Sequence, residues 1–271
     1  MHWPAEDLWQ VIAPQVPGFS VEVLPTIDST NSELMRRARA GQTDPTLLVA
    51  EHQTAGRGRL GRVWQSQAGD SLTFSLGMTL APANWSGLSL AIGWAIAQAL
   101  DPLKQHGLGL KWPNDVWVLA GPHSEPHKLA GILVETAMPA LGSTEPHPGR
   151  YCVMGVGINV IQPPATHAAI PPIGLRALDA QCTPAGVLKQ LLPPLVRAVL
   201  AFERQGFAPF QAGFNERDVL LGQALTLSDG QQGIGQGVNP LGELLLAQGN
   251  TQIRVHSAEV SVRPDPQRTS A

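Results

Sequence analysis

The chain has 271 residues, 43% of them hydrophobic and 14% charged, with 28 Gly, 24 Pro and a formal net charge of −3. Its length and hydrophobic share exclude disorder throughout and allow one large domain, or a large one beside a small one. The slightly acidic balance supplies no global basic field for a polyanion, so anion chemistry must be local and no nucleic-acid partner is expected.

Cys152 and Cys182 are too few for a disulfide scaffold and lack C-x-x-C spacing, so both are expected as free thiols. No run reaches the ~18 apolar residues of a membrane span. The N-terminal MHWPAEDLWQ has no basic n-region of a secretory signal. The expectation is a cytoplasmic protein with no membrane partner.

In chain order, VEVLP at 21–25 alternates as a strand, and IDSTNSELMRRARAG follows as a helix. Thr30 and Glu33 have the spacing of a capping box, and Gly41 is a C-terminal stop. Ser29, Thr30 and Asn31 at this helix start either only cap it or also bind a ligand through the exposed N–H and hydroxyl groups. LLVAE at 47–51 reads as a buried strand, and LTFSLGMTL at 72–80 as a half-buried one with Leu72, Phe74, Leu76 and Met78 inward.

LSLAIGWAIAQAL at 88–100 is a buried core helix, and LGLKW, DVWVL, KLAGILVET and YCVMGVGINV are further strands. The Pro-, Gly- and His-rich separators between them read as surface hairpin loops. Thr183 caps a helix with Pro184 in its first position, which Pro193 and Pro194 are expected to kink or split. From Asp218 the texture changes to about five short strands between turns, the pattern of a small barrel. The expected division is 1–217 and 218–264, an α+β domain followed by a small all-β one.

QTAGRGRLGRVW at 53–64 is held between two strands. Gly56, Gly58 and Gly61 let the backbone approach a ligand closely, while Arg57, Arg59 and Arg62 offer charged forks for carboxylate or phosphate oxygens. No G-K-[ST] follows, which excludes a Walker A loop. In KWPNDVWV at 111–118, Lys111 ends an apolar strand and Asn114 and Asp115 follow a Trp-Pro turn. KLAGILVE at 128–135 begins on Lys128 and places Gly131 in a strand, where glycine marks a close approach. GVGINV at 155–160 repeats the device with Gly155, Gly157 and Asn159. There is no nucleophile elbow and no H-E-x-x-H, so the chemistry implied is positioning and electrostatic stabilisation, as in phosphoryl or nucleotidyl transfer.

Taken in order, STN at 29–31, QTAGRGRLGRVW, KWPNDV, KLAGILVE and GVGINV resemble the motif series of the biotin protein ligases, over about residues 20 to 262. The resemblance implies a catalytic domain akin to class II aminoacyl-tRNA synthetases, with a mixed, largely antiparallel sheet, and an SH3-like C-terminal domain. It implies that biotin, ATP and Mg2+ yield biotinyl-5′-adenylate. Biotin then passes to one lysine of a carrier protein such as the biotin carboxyl carrier protein of acetyl-CoA carboxylase.

On the same resemblance Arg57 and Arg59 draw the carboxylate and α-phosphate together, Lys128 contacts both, and Asp115 orients the incoming lysine amine or accepts its proton. Ser29, Thr30, Asn31, Gln53, Gly56, Gly58 and Gly131 surround biotin with Arg57, Arg59 and Lys128. Arg59, Arg62, Trp64, Lys111, Asn114 and Asn159 serve ATP, Trp64 as an adenine stack. Leu129, Gly131, Ile132, Gly155 and Gly157 line an apolar slot. No resident metal site is expected, and family members are monomers or homodimers.

Repressor-type members carry a helix-turn-helix domain of ~60 residues ahead of the catalytic domain, whereas 28 residues precede Ser29 here, so no DNA binding is expected. Asn239 and Ala258 depart from the family's usual acidic residue and glycine in the C-terminal domain. The rival readings are a lipoate ligase, which shares the adenylation chemistry, and a nucleic-acid-binding module. The latter explains GRGRLGR but leaves Lys111, Lys128 and the paired glycines without a role.

Overall fold

A computed structural model of the chain describes residues 2–119, 125–137, 149–164 and 170–256, with the backbone of 262–264. The hairpin loops expected at 121–127 and 139–149 lie largely outside the described residues, as does Ala258. Helix α1 (Ala5–Ile12) leads into β1 (Ser20–Ile27), α2 (Thr30–Arg39), β2 (Thr46–Gln53), β3 (Ser71–Leu80) and α3 (Leu88–Leu100). Strands β4 (Leu108–Lys111), β5 (Asp115–Val118), β6 (His127–Ala137) and β7 (Arg150–Asn159) follow, then α4 (Pro184–Gln205) and α5 (Gln211–Asn215).

These seven strands form one sheet in the order β1-β2-β3-β7-β6-β5-β4. The pair β1–β2, joined through α2, is parallel and the rest are antiparallel. The expected mixed, largely antiparallel sheet is what the chain builds. One face carries Leu47, Val49, Leu72, Phe74 and Leu76 against the apolar sides of α1, α3 and α4, and the other packs Leu48, Tyr151 and Val153 under Leu34 and Met35 of α2. Strand β3 is therefore buried on both faces, not half-buried as its alternation suggested, because it lies between β2 and β7 in mid-sheet with helices on either side.

Two helices differ from their sequence reading. Ser29, extended at φ −160°, is the N-cap of α2 and accepts from the Ser32 N–H at 3.4 Å. Glu33 turns to Arg36 and Arg37, at 2.7 and 2.9 Å, where it gains charged partners instead of closing a capping box on Thr30. Gly41, at φ +84°, supplies the left-handed stop just beyond the helix. Helix α4 starts as expected, with Thr183 accepting from the Gly186 N–H, but it runs unbroken through Pro193 and Pro194. The two missing N–H groups would have served the carbonyls of Lys189 and Gln190, both exposed residues whose carbonyls water can satisfy. At 22 residues α4 is long and apolar enough to cross a membrane, yet half of it is buried against α1 and α3, as in a core helix.

Beyond α5, strands β8 (Ala224–Leu227), β9 (Gln232–Val238), β10 (Leu244–Gln248), β11 (Thr251–Val255) and β12 (Val262–Pro264) form a second, antiparallel sheet in the order β11-β10-β9-β8-β12. The connection between the sheets is itself hydrogen-bonded to the first: the Leu110 N–H donates to the Arg217 carbonyl at 2.7 Å and the Val219 N–H to Leu110 at 3.1 Å. From the second sheet, Gly242 accepts from the Trp112 indole at 3.1 Å.

Asp218 sits at this junction. Its Oδ1 accepts from the Leu220 N–H at 2.9 Å, while Oδ2 is buried without a partner among the described residues. Burial pushes its carboxyl up to about 6. Between roughly pH 4 and 6 the folded chain keeps a proton that the unfolded chain has released, so this group's contribution to stability falls as pH rises through that window. Asp218→Asn is expected to stabilise the protein at neutral pH by about 1–3 kcal/mol. In thermal melts the gain disappears below about pH 4, where the wild-type carboxyl is itself neutral.

Candidate active site

The register of the large sheet builds the site floor. Thr73, Gly157, Gly131, Asp115 and Lys111 form one row across β3, β7, β6, β5 and β4, and Leu48, Ser75, Gly155 and Leu133 form the next row across β2, β3, β7 and β6. Directly paired residues share a face, and Leu48 places these rows on the α2 side. The middle of that face is therefore bare glycine, with polar side chains around it. Over it lie the start of α2 and the arginine loop, enclosing a cavity of about 220 Å³.

The glycines are required by what lies above them. A Cβ on Gly155 would come within 2.0 Å of Asn31 Oδ1, and one on Gly157 within 2.3 Å of the Trp64 ring. Trp64 thus rests on the glycine floor, its indole N–H buried with no acceptor among the described residues. The loop that delivers it folds as a small hairpin, the Gly58 N–H donating to Arg62 at 2.7 Å and the Trp64 N–H to Gly56 at 2.9 Å. Gly61 and Leu60 turn its tip with φ of 71° and 55°.

One end of the cavity is a chain of hydrogen bonds. Gln53 Oε1 accepts from the Thr30 N–H at 2.8 Å and from its hydroxyl at 3.2 Å. The Ser75 hydroxyl stands 2.7 Å from Thr30 Oγ1 and 2.6 Å from Asn31 Oδ1. Asn31 Nδ2 donates to the Leu133 carbonyl at 3.2 Å and to Glu135 at 3.0 Å. Arg57 closes the chain, donating to Glu135 at 3.0 Å and to Ser32 Oγ at 3.2 Å.

The other end is cationic. Lys111, Lys128, Arg59 and Arg62 line it with a single carboxylate among the described lining residues, Asp115, which accepts from Lys128 at 2.7 Å. Burial pushes the Lys111 amine down to about 8, against the pull of Asp115 and with help from Lys128, Arg62 and Arg59. Burial also draws the Arg59 guanidinium below its ordinary value, with Asp115 opposing. The turn that presents Asp115 is pinned by Asn114, whose side chain donates to the Ile132 carbonyl at 2.8 Å and whose own carbonyl accepts from the Ile132 N–H at 2.9 Å.

Most residues singled out in the sequence meet here: Ser29, Thr30, Asn31, Gln53, Arg57, Gly58, Arg59, Arg62, Trp64, Lys111, Asn114, Asp115, Lys128 and Gly131 all line the cavity. Gly56 does not, because its open side faces the Trp64 carbonyl, 2.3 Å from where a Cβ would stand. Asn159 lies outside the lining too, its amide donating to the Lys128 carbonyl at 3.4 Å. Leu129 is in the main core, not in the slot. Ser75 and Glu135 are additions that sequence reasoning passed over; both depend on cross-strand register. Arg57 and Arg59 aim at different parts of the cavity, since Arg57 donates to Glu135 at 3.0 Å whereas Arg59 lies within the field of Asp115.

A model of the biotin/lipoate A/B protein ligase family matches residues 23–159, the span of β1 through β7. The chain is 32% identical over 255 residues to the biotin–acetyl-CoA-carboxylase ligase of Mycobacterium tuberculosis, covering 89% of this chain and 88% of that protein. It is 33% identical over 256 residues to the bifunctional ligase/repressor BirA of Escherichia coli, covering 92% and 76%. Its fold is similar to that of a biotin protein ligase from Aquifex aeolicus solved in complex with biotin and ATP, with a TM-score of 0.72 and 26% identity over 90% of this chain and 99% of that one. Sheet order, glycine floor and loop thus come together with relatives that match along most of their length, and the chain belongs to the biotin protein ligases of the biotin/lipoate A/B protein ligase family.

Proposed function

We propose that the cavity first joins biotin to ATP and then hands the activated acyl group to a lysine of a carrier protein, with the biotin carboxyl carrier protein as the acceptor. The observation that carries this is its division into a hydrogen-bonding end and a four-cation end across a bare glycine strip. Gln53 uses its oxygen on Thr30, which leaves its amide N–H groups to donate to a ureido oxygen. The dithiolane of lipoate has no such acceptor. The glycine strip and Trp64 suit the thioether ring and valeryl chain, so Trp64 walls the biotin slot.

At the cationic end a carboxylate oxygen of biotin attacks the α-phosphorus of ATP, and the bond to pyrophosphate breaks. Both reactants are anions. Arg59, Arg62, Lys111 and Lys128 offset their repulsion and the charge of the transition state inside a cavity where screening is weak. The acceptor amine then attacks the acyl carbon and AMP leaves, with Asp115 placed beside Lys128 to orient the amine. One lining carboxylate is too few for a dedicated metal cage, and no metal-ligating cluster stands among the described residues. Magnesium bound to the triphosphate would add to the charge neutralisation that the four cations supply. The cavity is smaller than the roughly 300–1,000 Å³ of pockets that bury a drug-sized ligand, so the arginine loop must shift when a nucleotide joins biotin.

The need for ATP and carrier protein places the reaction in the cytoplasm. Biotin is expected to raise the melting temperature, and ATP to raise it further, because ligands that bind only the folded state stabilise it. A rise with lipoate and none with biotin would replace the substrate.

The nucleotide end has its own pH signature. Lys111 is charged below about 8, so kcat/KM for ATP should decline as pH rises through that value, since this ratio reports the free enzyme. Lys111→Arg, permanently charged, should flatten the decline.

A further inference from the structure

We infer that Glu135 is a positioning residue that holds the arginine loop closed over the biotin end by tying Arg57 to Asn31; this deepens the ligase reading and rests on it. One carboxylate takes both partners: Oε2 accepts from Asn31 Nδ2 at 3.0 Å and Oε1 from Arg57 Nη2 at 3.0 Å. Asn31 belongs to the rigid wall, fixed also by Ser75 and the Leu133 carbonyl. Arg57 belongs to the loop. The bond between them is therefore a clasp between a fixed element and a hinged one.

Competing pairings are already satisfied. Arg36 and Arg37 of α2 engage Asp28, Glu33 and Glu22, which leaves Glu135 to Arg57. The clasp also sets the far end of the cavity, because Arg57 bridges to Val63 across the loop hairpin, and that hairpin carries Arg59 and Arg62. Glu135 touches neither reacting atom. It is not among the residues that line the cavity, so its effect falls first on capture and retention of biotin and only slightly on the chemical step.

Glu135→Ala is expected to raise KM for biotin and the biotin dissociation rate about fivefold, the scale of a half-exposed charge pair, with kcat for pyrophosphate exchange changed less than about twofold. Arg57→Ala should raise both at least as far, since Arg57 also lines the cavity, and the double variant should be no worse than Arg57→Ala alone, because the Glu135 substitution then has no clasp left to remove. Glu135→Gln, which keeps the hydrogen bond to Asn31, should lie between. Amide exchange at Gly58 and Trp64 in the unliganded protein should quicken in both single variants, whatever the ligand proves to be. Additive effects in the double variant, a fall in kcat at constant KM, or unaltered exchange at Gly58 and Trp64 would overturn the inference. Failure of the wild type to respond to biotin, with the amide exchange quickened as expected, would instead remove the substrate and keep the clasp.

Discussion

Arg59→Ala is expected to lower biotin-dependent pyrophosphate exchange by roughly 10²–10³, the range for removal of one preorganised charge-stabilising group. Burial already draws the guanidinium below its ordinary value, a sign that it has lost part of its hydration and that its field reaches a bound anion with less screening than at the surface. The loss should appear equally in kcat and kcat/KM, since the charge is needed most when carboxylate and α-phosphate are forced together. Arg59→Lys should recover only part of the rate, because an ammonium lacks the planar fork that can span two oxygens of neighbouring groups. A large rise in KM for biotin with kcat intact would instead place Arg59 in ground-state binding.

Lys128→Ala carries the second large expectation, again a fall of roughly 10²–10³ in adenylate formation. Lys128 enters the cavity from the start of β6 and meets Asp115 at 2.7 Å, so the substitution removes a cation and also frees the carboxylate beside the nucleotide site. An unpaired Asp115 would repel the phosphates, and the effect should therefore shrink in Lys128→Ala with Asp115→Asn. Biotin binding by thermal shift should survive in the single variant, because the polar end built from Gln53, Thr30 and Asn31 does not involve Lys128. Loss of biotin binding in that variant would show that the two ends of the cavity are not separable.

The fold was legible where local pattern decides it. The apolar run at 88–100 became α3 with the same bounds, and Gly41 ended α2 from a left-handed backbone as glycine does. The reading weakened where one residue's backbone or a distant neighbour decides. Ser29 and Thr30 are both good caps, and only the extended backbone at Ser29 selects between them. Pro193 and Pro194 forecast a break, but the carbonyls they leave free belong to exposed residues, which lets α4 continue.

The candidate site divides in the same way. The loop arginines, Lys111 and Lys128 advertise themselves by charge at strand ends, and the glycines by their place within strands. Glu135 and Ser75 do not. Glu135 reaches Asn31 across 104 residues of chain, and Ser75 reaches it across 44, through a strand register that no local pattern encodes. Ser75 also sits on the face of β3 opposite Phe74, a face that reads as solvent-exposed until α2 covers it. The different aims of Arg57 and Arg59, two residues apart in one glycine-rich loop, follow from the same cause, since Glu135 holds one and the cationic end receives the other.

The most direct test is biotin-dependent exchange of labelled pyrophosphate into ATP with magnesium, run beside lipoate and the Arg59→Ala variant. Exchange with biotin, absent with lipoate and lost in the variant, is the result that adenylate formation at the cationic end predicts. Exchange with lipoate alone, or exchange with biotin that Arg59→Ala leaves untouched, would contradict it.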